Sequence, residues 1–575
     1  PKFQYHEATF SAQPITWLLR FDAVKDATIS GFFRTLTATD SSQTVGAFLE
    51  ITPSLNDLVN VPRPRSGYFL QPPGVFLTGY NQQDRIKLID AYMVEFYKTF
   101  GYFPRSVAAW YIDSFSLEYL SVKYSVTAAI LCDEQYTTDA YRIWGAYLGS
   151  PYYPSKTNAL IPASSSKNRI PLVITKWAIR DPFNFYGYRH SSSYSIQVND
   201  YLSYGLSTSY FEKLLGIYSQ EGFNDFSHLV IGLENDYPLI YEDEIHSVYQ
   251  LLSDAKAKYQ INMISLSGFG EWFRRFYPEG SPPFLYQTSD PLEKSSGKVI
   301  WYQNPHYRLG LKSENGSTKI LDFRIYNQLE AEPYYTYPNT QSDLFVETPF
   351  IIDTIKFPEK QYTLPISLDN LKTQKGYWSV EILDGDKKLT LNNQSVTFSN
   401  FSPPPITSDE IIVKSSPLKT SWIFSPQTPF VTSLKSTIAN TAKILLPLLF
   451  IFFIFKKRLT LPPVSVIVTG TVVSIISLMV VFKSGLVFPF GMGFWGPNGH
   501  DALFHLSLIN AFAQNPLSLS HPQLAGFPIQ NYHIAFDYLL ALMVRILDIP
   551  ALDLYFRIVP LTMIISIVYL IYLWL

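Results

Sequence analysis

Short apolar runs bounded by polar or turn residues recur through the first part of the chain, with helical patterns between several of them. The runs that predict strands are residues 15–21, 44–49, 106–112, 126–131, 170–175, 227–232 and 261–265. The intervening segments 84–100 and 244–259 place apolar residues on one helical stripe. Strands that alternate with helices indicate a parallel sheet. No Gly-x-Gly-x-x-Gly follows the first strand, so we expect a seven-stranded (β/α) barrel over residues 1–280.

From about Trp301 the apolar period changes to two. The segments with this period are residues 298–311, 319–326, 344–355 and 377–391, and Asp384-Gly385 is typical of a hairpin turn. The pattern predicts an antiparallel β-sandwich over residues 281–415. The prolines at 403–405 and at 426 and 429 then indicate a stiff linker over residues 416–437.

Residues 438–455 are almost wholly apolar and end in Lys456-Lys457-Arg458, which is typical of a membrane crossing with a basic anchor. The positive-inside rule places these basic residues in the cytoplasm and therefore residues 1–435 outside it. Further apolar runs predict more crossings, at residues 464–482, at 531–547 and from 554 onwards. We expect an α-helical transmembrane bundle over residues 438–575 with an outer loop at 485–530, in a multi-pass protein of the cell membrane.

Composition narrows the functional classes. The net charge of −2 comes from 45 basic and 47 acidic residues without a long run of either sign, which argues against a nucleic-acid partner. The single cysteine, Cys132, excludes an internal disulfide framework and a thiolate zinc cluster. The chain opens at Pro1 and stops within an apolar run, so we expect a longer protein with a signal peptide or anchor ahead of Pro1.

Acidic residues follow several predicted strands, at the positions where (β/α) barrels carry their reacting groups. Carboxylates gathered there are what glycoside chemistry needs, one to protonate a leaving oxygen and another to attack or to activate water. The predicted catalytic residues are Asp22, Asp113, Glu234 and Asp236, and Glu50 and Glu134 are predicted to bind substrate. The alternative is that each acid caps the helix after it, as Asp113 would cap residues 114–124.

Aromatic residues make up 16% of the chain. Those near the ends of predicted strands could stack on sugar rings, and they are Trp110, Trp144, Trp177 and Tyr186. The alternative for this group is ordinary packing in the core.

The run Phe100-Gly-Tyr-Phe-Pro-Arg-Ser-Val-Ala-Ala-Trp-Tyr-Ile-Asp113 resembles the middle strand-helix unit of the glycoside hydrolase/polysaccharide deacetylase barrel superfamily. Gly232-Leu-Glu-Asn-Asp236 and Ile264-Ser-Leu-Ser-Gly-Phe-Gly-Glu-Trp272 are similar to its later strands. The resemblance covers residues 1–280 and implies a barrel that acts on carbohydrate.

The chain departs from this superfamily at its metal motifs. The deacetylases carry an Asp-Asp pair in the first strand and a His-x-x-x-His motif, whereas Asp22 is followed by Ala23 and the barrel has no such histidine pair. The His-x-His opening of the family 57 hydrolases is also missing, since His6 stands alone. No metal ligand is assigned in the barrel. Three functions stay open: hydrolysis or transglycosylation by a carboxylate pair, glycan binding without turnover, and deacetylation with an unusual metal shell that includes Asp22 and His6.

The outer loop Phe494-Trp-Gly-Pro-Asn-Gly-His-Asp501-Ala-Leu-Phe-His505 resembles that of the polytopic C-type glycosyltransferases, which use lipid-linked sugars. The resemblance implies that Asp501 activates the acceptor or contacts a divalent metal, with His505 one helical turn along the same face. The alternative is that Asp501 caps a helix and His505 lies at the lipid headgroups. Together the two resemblances predict a cell-envelope protein whose partners are a surface polysaccharide or other glycan and the lipid bilayer.

Overall fold

The protein is described by a computed structural model. The described residues are 13–64, 72–138, 140–186, 194–219, 222–232, 241–258, 261–314, 317–374, 378–406, 408, 411–424, 463–481, 484, 486–488, 491–494, 501–514, 529, 534–547 and 549–574. The chain divides into two compact units, residues 1–426 (unit 1) and 427–575 (unit 2).

The N-terminal part of unit 1 is built on a parallel sheet. The strands in this part are β1 (Ile15–Leu19), β2 (Gln43–Phe48), β3 (Ser106–Ala108), β4 (Ala128–Cys132), β5 (Gln135–Thr138), β6 (Tyr141–Trp144) and β7 (Val173–Trp177). Of these, β1, β2, β3, β4 and β7 pair in that order as a five-stranded parallel sheet. All five coincide with strands that the apolar runs predict.

Helices connect these strands, in the alternation that the sequence predicts. They are α1 (Phe21–Lys25), α2 (Ala27–Thr39), α3 (Pro53–Val59), α4 (Pro72–Val75), α5 (Gln82–Phe100), α6 (Ser114–Tyr124), α7 (Val198–Ser203), α8 (Thr208–Tyr218), α9 (Glu242–Lys258) and α10 (Leu266–Phe276). The longest, α5, begins after the Asn81 cap and ends at Gly101, whose φ of 82° suits glycine. It buries Ile89, Met93 and Phe96 from its predicted apolar stripe.

The predicted closed barrel is not confirmed, because the parallel sheet has five strands. Residues 227–232 and 261–265, which the apolar pattern predicts as strands, are described without strand pairing. Both segments nevertheless lie against the sheet. Gly232 packs on the Trp177 ring at the end of β7, and the backbone N–H of Leu266 donates to Thr16 Oγ1 of β1 at 2.9 Å. Apolar periodicity predicts which side chains become buried, and it does not determine whether the backbone forms a ladder.

Side chains from the parallel strands form a small cluster with Val230 of the first unpaired segment and with Leu266, the first residue of α10. Its members are Leu18, Phe48, Ala108, Ala128, Ile130, Trp177, Val230 and Leu266. Because side chains in a strand alternate between faces, this cluster identifies the inner face of the sheet.

The remaining strands of unit 1, apart from β12, form two antiparallel sheets. The strands are β8 (Phe284–Ser289), β9 (Lys298–Asn304), β10 (Tyr307–Glu314), β11 (Ser317–Ile325), β12 (Leu344–Glu347), β13 (Ile352–Asp353), β14 (Tyr362–Leu364), β15 (Asn370–Gln374), β16 (Ser379–Asp384), β17 (Lys387–Asn392), β18 (Ser395–Ser399), β19 (Ile411–Ser416) and β20 (Lys419–Phe424). One sheet has the order β13-β11-β10-β9-β8 with β14 on β11, and the other has the order β15-β16-β17-β18-β20-β19. A shared apolar core that includes Ile300, Leu309, Val380, Leu389 and Trp422 joins them.

The first antiparallel sheet also packs on the N-terminal part of unit 1. Tyr286, Trp301 and Tyr326 belong to the same apolar core as the helices around the parallel sheet. In addition, β12 pairs in parallel with β6, which itself pairs with β5. The two halves of unit 1 therefore share one buried interface.

Unit 2 is mostly helical in its described residues. Its elements are α11 (Val464–Val481), the hairpin strands β21 (Leu486–Phe488) and β22 (Gly491–Gly493), α12 (Asp501–Gln514), α13 (Ala535–Leu547), α14 (Ala551–Asp553), a π-turn at Leu554–Ile558 and α15 (Val559–Trp574). Among the described residues, one helix is long and apolar enough to cross a membrane, the 22-residue stretch Ala551–Tyr572. The multi-pass bundle is not confirmed. The predicted crossing at 438–455 lies outside the described residues, and α13 has 13 residues where a crossing needs about 20.

Candidate functional site

Three polar or aromatic side chains follow the inner cluster at the carboxyl ends of β1, β2 and β3. Arg20, Glu50 and Trp110 each stand two residues beyond a member of that cluster, so the period of two directs them to the same inner side. Reacting and binding groups in α/β folds lie at this end of the strands. Together with Asp22 and Trp177 we call this group the mouth.

Arg20 joins the two carboxylates of the mouth. Its Nε donates to Asp22 Oδ1 at 2.9 Å and its Nη2 to Asp22 Oδ2 at 2.7 Å, while Nη1 lies 3.5 Å from Glu50 Oε2. Arg20 and Asp22 are 47% exposed and Glu50 is 19% exposed, so solvent reaches all three. The hydrogen bonds from Arg20 lower the pKa of Asp22 below its ordinary value. Asp22 is therefore an ionised carboxylate that accepts hydrogen bonds.

The aromatic side of the mouth consists of two half-buried indoles. The Trp110 ring lies 6.3 Å from the Trp177 ring and, on its other side, 6.0 Å from Phe48. The indole N–H of Trp177 is buried and has no hydrogen-bond partner among the described residues. Half-buried indole faces at the same strand ends as the carboxylates suit the amphipathic faces of a sugar ring.

A cavity adjoins Trp177 on the side of β7 and α9. It encloses an empty space of about 390 Å³, part of it open to solvent, and is lined by side chains such as Ile196, Val230, Val248 and Tyr249. The lining is almost entirely apolar, so the cavity extends the aromatic side of the mouth.

Asp113, predicted as catalytic, is fully buried. Its Oδ1 accepts from Arg85 Nη1 at 2.9 Å and from the backbone N–H of Ser116 at 3.0 Å, and its Oδ2 accepts from Ser116 Oγ at 2.7 Å. These are the contacts of an N-cap with a buried counter-ion, as the capping alternative requires. The other member of the predicted facing pair, Glu234, lies outside the described residues, as does Asp236, so that pair stays a prediction.

Glu332 lies beside Asp113 and was missed in the sequence. Its Oε1 accepts from the backbone N–H and the hydroxyl of Ser114, at 2.6 and 2.7 Å, and its Oε2 accepts from the Ala159 N–H and the Tyr111 hydroxyl. Burial, and then the neighbouring charge of Asp113, raise the pKa of Glu332 above its ordinary value. Glu332 stands in a loop far from Ser114 in sequence, and no local pattern signals such a contact.

Glu134, predicted to bind substrate, lies in a buried ionic network. Its Oε1 is 3.1 Å from Arg308 Nη1, and the backbone N–H of Gly145 donates to both of its oxygens. Arg308 also pairs with Asp322 at 3.0 Å. Glu134 is 1% exposed and therefore contributes to the interface between the two halves of unit 1.

Trp144 and Tyr186 belong to the same buried region. Their rings stack at 5.4 Å, Trp144 Nε1 donates to Asp353 Oδ2 at 3.0 Å, and the Tyr186 hydroxyl donates to Asp353 Oδ1 at 2.8 Å. Both side chains are at most 2% exposed. Of the four aromatic residues predicted to stack on sugar, the structure brings Trp110 and Trp177 to the mouth and places these two in the core.

In unit 2, Asp501 is the first residue of α12 and His505 lies one turn along it. The Nδ1 of His505 is 2.9 Å from Oδ1 of Asp537, a fully buried residue of α13, and the His505 ring stacks on Tyr555 at 5.8 Å. Asp537 was missed in the sequence although a signal existed, because an ionisable residue within an apolar run is unusual.

The described part of the mouth does not fit a metal ion of the kind that polysaccharide deacetylases use. The Arg20 guanidinium holds both oxygens of Asp22, and a bound cation would have to displace it. Within the described ranges no three His, Cys, Asp or Glu side chains are grouped to hold a metal ion. His6, Glu234 and Asp236 lie outside those ranges, and a metal at Asp501 stays a prediction.

Comparison with known proteins gives one distant likeness. No protein-family model and no curated protein match the chain. Among solved structures, the chain is similar to a protein of Parabacteroides distasonis that is described provisionally as a glycoside hydrolase/deacetylase. The identity is 17% and the TM-score 0.50, and the alignment covers 65% of this chain and 86% of that one. At this identity the likeness shows a shared fold, the α/β parallel sheet with its antiparallel sheets.

Proposed function

We propose that unit 1 binds carbohydrate across the mouth and that the protein is a membrane-anchored, extracytoplasmic carbohydrate-active protein. The observation that carries the proposal is the guanidinium of Arg20, which contacts both Asp22 and Glu50 at the strand ends that also present Trp110 and Trp177. Ionised carboxylates accept hydrogen bonds from sugar hydroxyls, the guanidinium donates to sugar oxygens, and the indoles stack on the ring. The fold likeness to a provisionally described glycoside hydrolase/deacetylase supports this substrate class.

The proposed reaction is glycoside hydrolysis by two carboxyl groups. Asp22 or Glu50 acts as the nucleophile or as the base that activates water, since both contact the guanidinium of Arg20, which lowers the pKa of Asp22. The acid that protonates the leaving oxygen is Glu234 or Asp236. Gly232 lies against Trp177, so the chain comes to the mouth two residues before Glu234. A carboxyl separation of about 5–5.5 Å would predict retention of configuration, and about 6.5–9.5 Å inversion.

Glycan binding without turnover is the second candidate. It is favoured by the bidentate hold of Arg20 on Asp22 and by the burial of Asp113, which leave fewer carboxylates for acid–base chemistry. The two candidates differ in the effect of Glu234→Gln on the full-length protein. A hydrolase loses glycan cleavage about 10²–10⁴-fold while it keeps binding. If the wild-type protein binds a glycan and does not cleave it, the second candidate, glycan binding without turnover, is correct.

For unit 2 we propose sugar transfer from a lipid-linked donor, with Asp501 activating the acceptor and His505 beside it. The likeness of residues 494–505 to C-type glycosyltransferase loops supports this proposal, as does the contact between His505 and the buried Asp537. Asp501→Asn in the full-length protein should abolish transfer and keep membrane insertion. Asn510→Ala, an exposed change on the same helix, is the control. Equal transfer by both variants would limit any catalysis to unit 1.

A further inference from the structure

The hairpin of β19 and β20 exposes apolar side chains at the edge of its sheet. Among the described strands, β19 is the last in the sheet order and pairs with β20 alone. Every residue from 412 to 419 is exposed, including Ile412 at 46%, Val413 at 53% and Leu418 at 72%. Ile412 and Val413 are consecutive and point to opposite faces, so neither face of this strand is covered by the sandwich.

The charge pattern of the chain changes where this hairpin begins. From Ile411 to His500 there is no Asp or Glu, although the whole chain contains 47 of them. The same stretch contains Lys414 and Lys419 within the hairpin and Lys435 ahead of the predicted crossing at 438–455. A segment with only positive charges is attracted to anionic lipid headgroups and is not repelled by them.

We propose that the edge strand β19 rests on the headgroup region of an anionic lipid bilayer. Ile412 and Val413 enter the interface, and Lys414 and Lys419 contact the lipid phosphates. This is the arrangement by which amphipathic surface segments bind membranes, with apolar residues at the acyl boundary and basic residues at the headgroups. The proposal does not depend on the proposed carbohydrate chemistry.

The connection of this hairpin to the rest of the chain also supports a lipid bilayer as its partner. Ile412 and Val413 pair with Ile423 and Trp422, so they lie at the end of the hairpin from which the chain continues. From Phe424 to the predicted crossing at residue 438 there are 14 residues, which span at most about 50 Å when fully extended. The linking chain therefore limits the distance from this edge to the predicted crossing to about 50 Å.

The competing explanation is that Lys414 and Lys419 keep the exposed edge of the sheet from pairing with other strands. In that case β19 would stay in water when the protein is in a membrane. The two explanations predict opposite environments for the side chain at position 413.

The test uses full-length protein with one fluorescent label on an introduced cysteine. The native Cys132 is buried and leaves little background. Val413→Cys reports on the hairpin, Val122→Cys on α6 is the water-exposed control at 72% exposure, and Ile567→Cys on α15 is the membrane control. Each protein is reconstituted in vesicles of phosphatidylglycerol and phosphatidylcholine that contain a headgroup-level nitroxide lipid.

We expect the nitroxide lipid to quench the label at 413 several-fold more than the label at 122, and iodide to show the reverse. Quenching at 413 should fall in pure phosphatidylcholine and in the variant that also carries Lys414→Glu and Lys419→Glu. A label at 413 that behaves like the one at 122, while the one at 567 is quenched by lipid, would overturn the proposal. Quenching at 413 that is unchanged in phosphatidylcholine and in the lysine variant would overturn it as well.

Discussion

Arg20 binds Asp22 through two parallel hydrogen bonds of 2.9 and 2.7 Å at the carboxyl end of the first parallel strand. This pair orients a guanidinium and keeps a carboxylate ionised at the strand ends where Trp110 and Trp177 lie. A similar exposed pair, Arg105 with Glu271, precedes the third strand at the opposite end of the sheet. Both are exposed arginine–carboxylate ion pairs, and they lie at opposite ends of the parallel sheet.

Arg20→Ala should therefore weaken glycan binding and hardly change stability. Arg20 is 47% exposed, and exposed ion pairs contribute about 0–1 kcal/mol to the free energy of unfolding. Calorimetric titration with the glycan and urea unfolding measure the two effects. Arg105→Ala removes an arginine that is also 47% exposed and is the matched control. Equal binding by the two variants would exclude Arg20 from the site.

Asp113→Ala should destabilise the protein strongly. The change leaves Arg85 buried without its counter-ion, which costs about 3–5 kcal/mol in the free energy of unfolding. Asp26→Ala removes an exposed N-cap from α2 and should cost about 1 kcal/mol. Urea unfolding compares them. A stable Asp113→Asn protein that binds glycan and does not cleave it would show that Asp113 is catalytic instead.

Glu332 should make stability depend on pH. Its pKa is raised in the folded protein above the unfolded value of about 4.5, so folding is favoured while the group is protonated. This contribution is fully present below the unfolded pKa and is lost as the pH rises through the folded pKa. Glu332→Gln should therefore flatten the fall in unfolding free energy above pH 4.5, as measured by urea titrations at several pH values. An unchanged slope would contradict the raised pKa.

Trp110→Ala should weaken glycan binding, whereas Trp144→Ala should lower the stability of the fold. Loss of the half-buried Trp110 ring removes a stacking surface worth about 0.5–1.5 kcal/mol, which weakens glycan binding about 2- to 12-fold. Loss of the fully buried Trp144 should instead cost about 3–5 kcal/mol of stability. Binding isotherms and thermal unfolding of both variants decide this. A Trp144 variant that folds normally and loses binding would reverse the assignment.

The sequence predicted the elements better than their long-range arrangement. Alternating apolar runs located the five parallel strands and the antiparallel sheets, because each burial pattern is local. The barrel was predicted from segments such as 227–232, whose apolar residues are used to cover Trp177 without backbone pairing. Of the predicted crossings, the one from residue 554 coincides with a helix long and apolar enough to span a membrane, whereas the run at 531–547 contains a 13-residue helix in which the buried Asp537 pairs with His505.

Whether a candidate residue is buried or accessible depends on its contacts with residues far away in the sequence. The local sequence does not reveal those contacts. Asp113 lies five residues beyond the end of β3 and caps α6, and its contacts depend on Arg85 and Ser116, one of them 28 residues away. Glu134, Trp144 and Tyr186 are buried by strands beyond residue 284, which no local pattern near them can reveal. Trp110 and Trp177 are only half-buried, and they lie at the carboxyl ends of β3 and β7.

The central claim is that the mouth binds carbohydrate. The most direct test compares glycan binding by two full-length variants, Glu50→Gln and its control Glu271→Gln. Both changes remove a carboxylate charge that faces an arginine, one at the mouth and one at the opposite end of the sheet. A panel of envelope polysaccharides is titrated against each variant and wild type. We expect Glu271→Gln to match wild type and Glu50→Gln to bind at least about tenfold more weakly, the effect of about 1.4 kcal/mol for a lost charged hydrogen bond. Wild-type binding by Glu50→Gln would contradict the account.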